Sequence, residues 1–375
     1  MNLPGVSYRA AGVDYDALDA AKRLAMARAS ATSALLAARG GHVLEGSRGE
    51  PAFVFELAGR TLAFVVEGLG TKSIIARQML EGHKVNRFAD VAYDTVAAIV
   101  NDLCCVGALP LVVNAYFATG SSDWYSEHDR AAALLEGWQR GCVDAGCAWG
   151  GGESPSLAGL IDEREIELAG AAVGAVPDGC APILGERLAA GDEIVLIASS
   201  GLHANGASLA RLVAARLPEG YATRLPDGTA LGEALLEPSV MYVPLISALL
   251  EARAPVTYLS HVTGHGLLKL MRPPRALSYR LQRLPEVPQV LSFLVAEAGL
   301  SAHAAYSTFN MGAGFAVYCA AGAGEQVVAL AQRLGLAAIL AGRVEDGPRE
   351  VVLEPLGVRF AGEELELSPR SASQP

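Results

Sequence analysis

The sequence is poor in lysine, aromatic residues and cysteine, and it has no excess of positive charge. Its 375 residues contain four lysines, 6% aromatic residues and six cysteines, with a formal net charge of −11. Binding to a nucleic-acid backbone needs clustered basic surface, which is absent, so we expect no nucleic-acid partner. The cysteines stand singly or as one adjacent pair, a spacing that matches neither a zinc site nor a disulfide framework.

Long hydrophobic runs and three common motifs are also missing. No apolar run reaches membrane-spanning length and the N-terminus lacks the apolar segment of a signal peptide, so we expect a cytoplasmic protein without a membrane partner. The sequence contains no G-x-x-x-x-G-K-[ST], G-x-G-x-x-G or G-x-S-x-G motif. The common nucleotide-binding loops are therefore excluded, and acyl transfer from a serine nucleophile is disfavoured.

Size and composition favour a two-domain α/β enzyme. The chain is longer than one hydrophobic core usually holds, and predicted strands and helices alternate in both halves. Among them are a hairpin of two short apolar runs, residues 53–57 and 62–66, and a helix from about Leu267. We predict an α/β (α+β) fold with an N-terminal domain over residues 1–178 and a C-terminal α/β domain over residues 179–375. The last residues, 368–375, have the composition of a disordered tail.

The predicted site is organised around one loop that follows an apolar run. The run ends at Glu67, Gly68 and Gly70 follow, and Thr71 and Lys72 close the loop. Glycines let backbone N–H groups approach phosphate oxygens, a carboxylate can hold Mg²⁺, and an ammonium can meet the remaining charge. A tight turn ending in a surface cation is the alternative. Because Arg accounts for 25 of the 29 basic residues, the choice of Lys at this position favours a phosphate contact.

Three acidic or amide positions of the first half could serve a nucleotide-bound Mg²⁺. They are Glu67, the pair Asn101–Asp102, and Glu153, which follows three glycines. A helix predicted over residues 88–106 projects Asp94 and Asn101 in almost the same direction, because seven residues make nearly two turns. Such oxygens are the ligands that Mg²⁺ takes, although each position taken singly also fits a solvated carboxylate or a helix cap.

His203 lies between a predicted strand and a predicted helix. The surrounding run, residues 199–206, places it beside helix N-terminal amides, which can bind an anion. Capping of the helix by Asn205 or Ser200, with His203 as a bystander, is the alternative.

Two further loops of the second half carry polar residues next to glycine. His261 and His265 flank Thr263 and Gly264, but no carboxylate stands near them in sequence, so a metal site is disfavoured there. Asn310 lies in a second polar and glycine-containing loop, which a simple turn explains equally well.

Taken together, the motifs resemble the aminoimidazole ribonucleotide synthetase family, also called phosphoribosylformylglycinamidine cyclo-ligase. Eight stretches carry the likeness in the family's order from near residue 7 to about residue 345. They are Ser7-Tyr8 with Ala11–Asp14, Glu67–Lys72, Val100–Leu103, Tyr116–Gly120, Gly150–Glu153, Ser199–Gly206, His261–Gly264 and Thr308–Gly312.

The resemblance implies a fold, a partner and a reaction. Two α/β domains are expected, with the N-terminal mixed sheet closing a barrel across a homodimer and the C-terminal sheet flanked by helices. ATP and Mg²⁺ are the implied cofactors, and the substrate is a small ribonucleotide. ATP would phosphorylate the formyl oxygen of formylglycinamidine ribonucleotide, and the amidine nitrogen would then attack that carbon as phosphate leaves and the imidazole ring closes.

The resemblance also assigns roles to residues. The implied catalytic residues are Lys72, His203, His261 and Asn310. The implied metal ligands are Glu67, Asp102 and Glu153. The implied cofactor-binding residues are Gly68, Gly70, Thr71, Lys72, Asp94, Asn101, Gly152 and Asn205.

Several positions depart from the family pattern, mostly in the expected ligand loops. Glu67 stands where Asp is usual, and residues 154–159 lack an acidic residue that the family carries. The other departures are Asn114 for Asp, Ala204 for Ser and His265 for Gly. Two alternatives therefore stay open: a paralogue that uses ATP to phosphorylate another small molecule, and a nucleotide-binding protein with decayed catalysis.

Overall fold

The computed structural model describes residues 15–365. The predicted tail at 368–375 and the motif residues 7–14 lie outside this range. Within it, two sheets are built from consecutive halves of the chain, each with helices packed on it. No helix of the described part is long and apolar enough to cross a membrane.

The first sheet is mixed and open. Its strands are β1 (Gly41–Val43), β2 (Phe53–Leu57), β3 (Arg60–Gly68), β4 (Leu109–Thr119), β5 (Ala148–Glu153) and β6 (Ile166–Ala175). They follow the order β1-β2-β3-β6-β4-β5, in which only β4 and β5 pair in parallel. The predicted hairpin of β2 and β3 is confirmed.

Helices cover one face of this sheet. α1 (Tyr15–Ser30) and α2 (Ser33–Ala37) precede the first strand, and the covering helices are α3 (Lys72–His83), α4 (Phe88–Cys104) and α5 (His128–Asp144). The apolar positions of α4 recur at helical spacing and pack on β3, β4 and β6. The polar side of α4 is also buried, because it faces the second half of the chain rather than solvent.

The second sheet is predominantly antiparallel. Its strands are β7 (Glu193–Ala198), β8 (Val256–His261), β9 (Leu277–Leu281), β10 (Ala313–Cys319), β11 (Ala338–Asp346), β12 (Glu350–Leu353) and β13 (Val358–Ala361). The order is β13-β12-β9-β11-β7-β10-β8, and β12 pairs with β9 in parallel. The central strands β7 and β10 are almost entirely apolar and buried.

The helices of the second half are short. They are α6 (Ala207–Ala214), α7 (Leu231–Leu235), α8 (Val243–Glu251), α9 (Gln289–Ala298), α10 (Ala302–Thr308) and α11 (Gly324–Arg333). The helix expected from about Leu267 is instead a 3₁₀ segment, Gly266–Met271. It ends at Met271, two residues before the pair Pro273 and Pro274, which cannot continue a helical hydrogen-bond ladder.

The two-domain α/β architecture is confirmed in its coarse form. The outer strands of the first sheet, β1 and β5, do not pair with each other, so residues 15–365 of a single chain form no closed barrel. A barrel across two subunits stays a prediction, as does the boundary at residue 178, which falls in the connection between β6 and β7.

Candidate active site

A small polar cavity lies where the two halves of the chain meet. Its volume is about 10 Å³, enough for about one water molecule. Five residues predicted for the site line it, although they come from separate segments. These five residues, which define the small cavity here, are Asn101, His203, Asn205, His261 and Asn310.

His203 presents a buried neutral imidazole to the small cavity. The backbone N–H groups of Ser200 and Val240 donate to its Nε2 at 3.2 and 3.5 Å, so Nε2 carries no proton and Nδ1 does. Burial, together with the nearby charges of His261 and Lys72, lowers the pKa of His203 well below its usual value. Its Nδ1–H is buried and has no hydrogen-bond partner among the described residues. The side chain is therefore a neutral donor suited to a ligand oxygen.

Asn310 holds the loop around His203. Its amide oxygen accepts from the Ser199 hydroxyl at 2.8 Å and from the Gly312 N–H at 3.0 Å, while its amide nitrogen donates to the Gly201 carbonyl at 2.8 Å. These contacts occupy the side chain, which is 5% exposed. Asn310 is thus a positioning residue in this arrangement, and its direct role in catalysis stays a prediction.

Asp94 and Asn101 both contact residues 239–242, as their common direction on α4 predicts. Asp94 accepts from the Ser239 N–H at 2.6 Å. Asn101 donates to the Val240 carbonyl and accepts from the Tyr242 N–H, both at 2.9 Å. The polar side of α4 therefore anchors a segment of the second half of the chain.

Lys72 is buried and paired with Asp94. Its ammonium forms an ion pair with that carboxylate, and neither side chain is exposed to solvent. The residues before it are more open: Gly70 has a φ of 70°, and a Cβ there would meet nothing within 4 Å. The phosphate contact of Lys72 stays a prediction, and it would require this ion pair to open. Gly68, Gly70 and Thr71 are partly or fully accessible, so their predicted contacts with a cofactor need no such change.

A buried pair joins the small cavity to a larger one. His261 Nδ1 lies 2.6 Å from a carboxylate oxygen of Asp102. Burial alone would raise the pKa of Asp102, but the hydrogen bond and charge of His261 outweigh it and lower that pKa. Asp102 is therefore a carboxylate that accepts from the Nδ1–H of His261, which leaves Nε2 as the other functional nitrogen of the ring.

The larger cavity has a volume of about 470 Å³ and charged walls. We call it the charged cavity, and its charged and titratable lining residues are Arg48, Glu50, Glu67, Asp102, His265, Lys269 and Arg272. Glu67 is an exposed residue at the end of β3, but its carboxyl borders this cavity beside Asp102. Loss of water around the carboxyl, followed by the charge of Asp102, raises the pKa of Glu67 to about 7.

The predicted set of three metal ligands is not brought together. Glu67 and Asp102 line the same cavity, but Glu153 is on β5, at the far edge of the sheet. The register runs from Glu153 on β5 to Tyr116 on β4, then to Ala169 on β6, and finally to Gly68 on β3, next to Glu67. Three strand spacings separate these rows, about 14 Å. In the described part of the chain, no group of three His, Cys, Asp or Glu residues is arranged to hold a metal ion.

Gly152 has a packing role on the same strand. A Cβ there would lie 2.1 Å from the carbonyl oxygen of Ala115, so only glycine allows the close approach of β4. The predicted contact between Gly152 and a cofactor stays a prediction. Asn205 is half-buried in the small cavity, and its predicted role is likewise untested.

Lys269 is the main site residue that the sequence interpretation missed. It lies in the 3₁₀ segment after β8 and lines the charged cavity. Burial, and then the charge of Arg272, lowers its pKa to about 8, while Asp102 and Glu67 act in the opposite direction. The scarcity of lysine that drew attention to Lys72 applies equally to this residue.

Comparison with protein families matches both halves of the chain. The N-terminal domain of AIR synthase related proteins matches residues 49–176, and the C-terminal domain of the same proteins matches residues 189–354. A phosphoribosylformylglycinamidine cyclo-ligase of Methanothermobacter thermautotrophicus is 34% identical over 93% of this chain and 97% of its own length. The protein of the same name from Sorangium cellulosum is 38% identical over 90% of this chain and 95% of its own length.

A similar fold occurs in a solved structure of lower sequence identity. The crystal structure of the hydrogenase maturation protein HypE in complex with ATP superposes with a TM-score of 0.58 at 17% identity. It covers 81% of this chain and 85% of that protein. At this identity the likeness concerns the fold alone.

Proposed function

Because the chain belongs to the family of AIR synthase related proteins, we propose that it is an ATP-dependent phosphoribosylformylglycinamidine cyclo-ligase. In the proposed reaction, the formyl oxygen of formylglycinamidine ribonucleotide takes the γ-phosphoryl group of ATP, releasing ADP. The amidine nitrogen then bonds to the activated carbon, and the carbon–oxygen bond breaks as phosphate leaves. The loss of one proton completes aminoimidazole ribonucleotide.

The observation that carries this proposal is the pair of linked cavities. The Asp102–His261 hydrogen bond spans them, since Asp102 lines the charged cavity and His261 lines the small one. A phosphoryl donor in the charged cavity and an amide oxygen at the small cavity would therefore be adjacent. Both groups must meet for the phosphoryl transfer.

Two histidines have complementary roles in this scheme. The neutral Nδ1–H of His203 would donate to the substrate oxygen, which needs a donor at a place where water is excluded. His261, in its neutral form with Nδ1–H held by Asp102, would take at Nε2 the proton that the amidine nitrogen loses. Asn310 and Asn101 would fix the loops that carry these groups.

The charged cavity fits a nucleotide-borne Mg²⁺ better than a metal ion held by protein alone. Mg²⁺ with a nucleotide needs only one or two carboxylates, because phosphates and water complete its coordination. Glu67 and Asp102 would supply those carboxylates, and Lys269 would face the phosphates. Once bound, Mg²⁺–ATP supplies the phosphoryl group and part of the charge compensation for its transfer.

We also propose that the protein is a homodimer. Phe64, Val173 and Val112 are register partners on β3, β6 and β4, and all three are exposed, on the face opposite the helices. A second copy covering this apolar face would close the barrel that the family resemblance implies. Val173→Lys should shift the protein from dimer to monomer in sedimentation velocity. Val143→Lys, an exposed position on α5, should leave the dimer intact.

A cytoplasmic location is part of the same proposal. All six cysteines of the chain are free thiols, and proteins whose cysteines form no disulfides are typical of a reducing compartment.

Turnover tests the proposed function. Purified protein with ATP, Mg²⁺ and formylglycinamidine ribonucleotide should release ADP and aminoimidazole ribonucleotide in equal amounts, the latter detected as a diazotisable amine. His203→Asn tolerates the left-handed backbone at this position (φ 59°) and should reduce kcat with little effect on folding. Tight ATP binding without any aminoimidazole product would contradict the proposal and favour a paralogue with another substrate.

A further inference from the structure

Lys269 borders two neighbouring carboxylates inside the charged cavity. Its backbone is fixed by the 3₁₀ segment Gly266–Met271 and by a hydrogen bond from the Ser260 hydroxyl to its carbonyl at 3.1 Å. Glu67 and Asp102 line the same cavity, and both attract its ammonium. Because the strand end and the 3₁₀ segment belong to different domains, the fold itself brings this cation to the carboxylates.

The other cations of the cavity make hydrogen bonds to other partners. Arg272 donates to the Gly49 carbonyl at 2.7 Å, and its charge is attracted by Glu50 and also by Asp102, but not by Glu67. Arg48 donates to Glu45 at 2.6 Å. Among the lysines and arginines that line the charged cavity in the described residues, Lys269 is the one that both Glu67 and Asp102 attract.

The carboxylates need such a cation. Glu67 and Asp102 line the same cavity, and two like charges in one poorly solvated site repel each other. His261 compensates Asp102 from one side, through the 2.6 Å contact at Nδ1. The other side of Asp102 faces the charged cavity, which Lys269 also lines.

We propose that Lys269 is the resident cation of the Glu67–Asp102 pair and that its ammonium keeps free divalent ions off these carboxylates. A divalent ion bound there would share the cavity with a fixed positive charge, and the repulsion between the two weakens binding in a partly buried site. The ion then enters only together with anionic phosphates that offset both positive charges. The choice of Mg²⁺ rests on the proposed function, but the exclusion of a free ion depends only on the charges in the cavity.

Binding of Mn²⁺ alone, followed by electron paramagnetic resonance without nucleotide or ribonucleotide, tests this inference. The full chain is titrated as wild type and as Lys269→Met, which keeps an unbranched side chain one atom shorter and removes its charge. Lys84→Met, at an exposed lysine, is the matched control. Removing the charge should tighten Mn²⁺ binding by about tenfold or more, while the control should match the wild type.

A second variant assigns the gained site to the carboxylates. Lys269→Met combined with Glu67→Gln should lose the gain in Mn²⁺ affinity. Equal Mn²⁺ affinity in the wild type and Lys269→Met would overturn the inference, and so would a gain that survives Glu67→Gln. Lys269→Gln serves in the same comparison if the Met variant does not fold, as judged by circular dichroism. Because no reaction is measured, either result leaves the cyclo-ligase proposal to its own test.

Discussion

Two lysines of this chain lie near carboxylates, but one is enclosed in the protein interior and the other borders a cavity. We therefore expect a structural role for the first and a ligand-binding role for the second. Lys72 pairs with a single carboxylate, Asp94, and both side chains are fully buried. Lys269 borders a cavity of about 470 Å³ and is attracted by two carboxylates, Glu67 and Asp102. The fully buried ion pair of Lys72 and Asp94, called the closed pair here, has no room for a further anion. The ammonium of Lys269 lies at a cavity wall and has room to contact one.

The largest effect is expected from breaking the closed pair. Lys72→Met leaves the Asp94 carboxylate buried without its cation, which should lower the free energy of unfolding by about 3–5 kcal/mol. Urea denaturation of the wild type, Lys72→Met and Lys84→Met measures this, with Lys84→Met expected within about 0.5 kcal/mol of the wild type. If Lys72→Met were as stable as the Lys84 variant, the ion pair would not be a structural element.

Asn101→Ala tests the same closed cluster without changing charge. The variant leaves the Val240 carbonyl and the Tyr242 N–H unpaired in a buried place, at a cost of about 2 kcal/mol or more. Thermal and urea unfolding report the loss. Asn205→Ala, in the same small cavity but half-buried, should cost less. Equal losses for both variants would contradict the anchoring role of Asn101.

Lys269→Met should change ligand binding more than stability. Loss of the ammonium that is proposed to face the phosphates is expected to weaken Mg²⁺–ATP binding by about tenfold, or about 1.4 kcal/mol. Isothermal titration calorimetry measures this, and urea denaturation of the same variant should give a free energy of unfolding near that of the wild type. Unchanged ATP affinity would contradict the position assigned to Lys269.

The smallest effect concerns pH and the neutral state of His203. Its pKa is lower in the folded protein than the ordinary value near 6.5, so below pH 6.5 the unfolded chain binds more protons than the folded one. The free energy of unfolding should therefore fall as the pH falls below 6.5, by up to about 1.4 kcal/mol per pH unit from this residue. His203→Asn should lose that share of the slope between pH 6.5 and 5. Identical slopes would show that His203 is protonated in the folded state.

Much of the fold was predictable, because its elements have strong local patterns. The β2–β3 hairpin was predicted from two short apolar runs joined by a turn, and α4 was predicted from helical periodicity. The seven-residue interval correctly placed Asp94 and Asn101 toward the same partner segment. The 3₁₀ segment at Gly266–Met271 was less predictable, since its apolar sequence fits a helix until the prolines that follow are considered.

The site was predictable in its members but not in their pairings. Collinear motifs identified five residues that line the small cavity, yet no local pattern shows that the Lys72 ammonium is directed to Asp94 or that Glu153 is three strands from Gly68. Lys269 was missed because its segment has an apolar sequence that fits a helix and no pattern that marks its one lysine as part of a site. Only the packing of the two sheets brings it to Glu67 and Asp102.

Competitive acetylation of lysines tests most directly whether the charged cavity, rather than the closed pair, receives the nucleotide. Trace acetic anhydride labels neutral amines, and mass spectrometry gives the rate at each lysine with and without saturating Mg²⁺–ATP. We expect Lys269 to react with a half-maximal rate near pH 8 and to be protected about tenfold by ATP, while Lys72 stays unreactive in both states. Labelling of Lys72 that ATP suppresses, with Lys269 unaffected, would contradict the account.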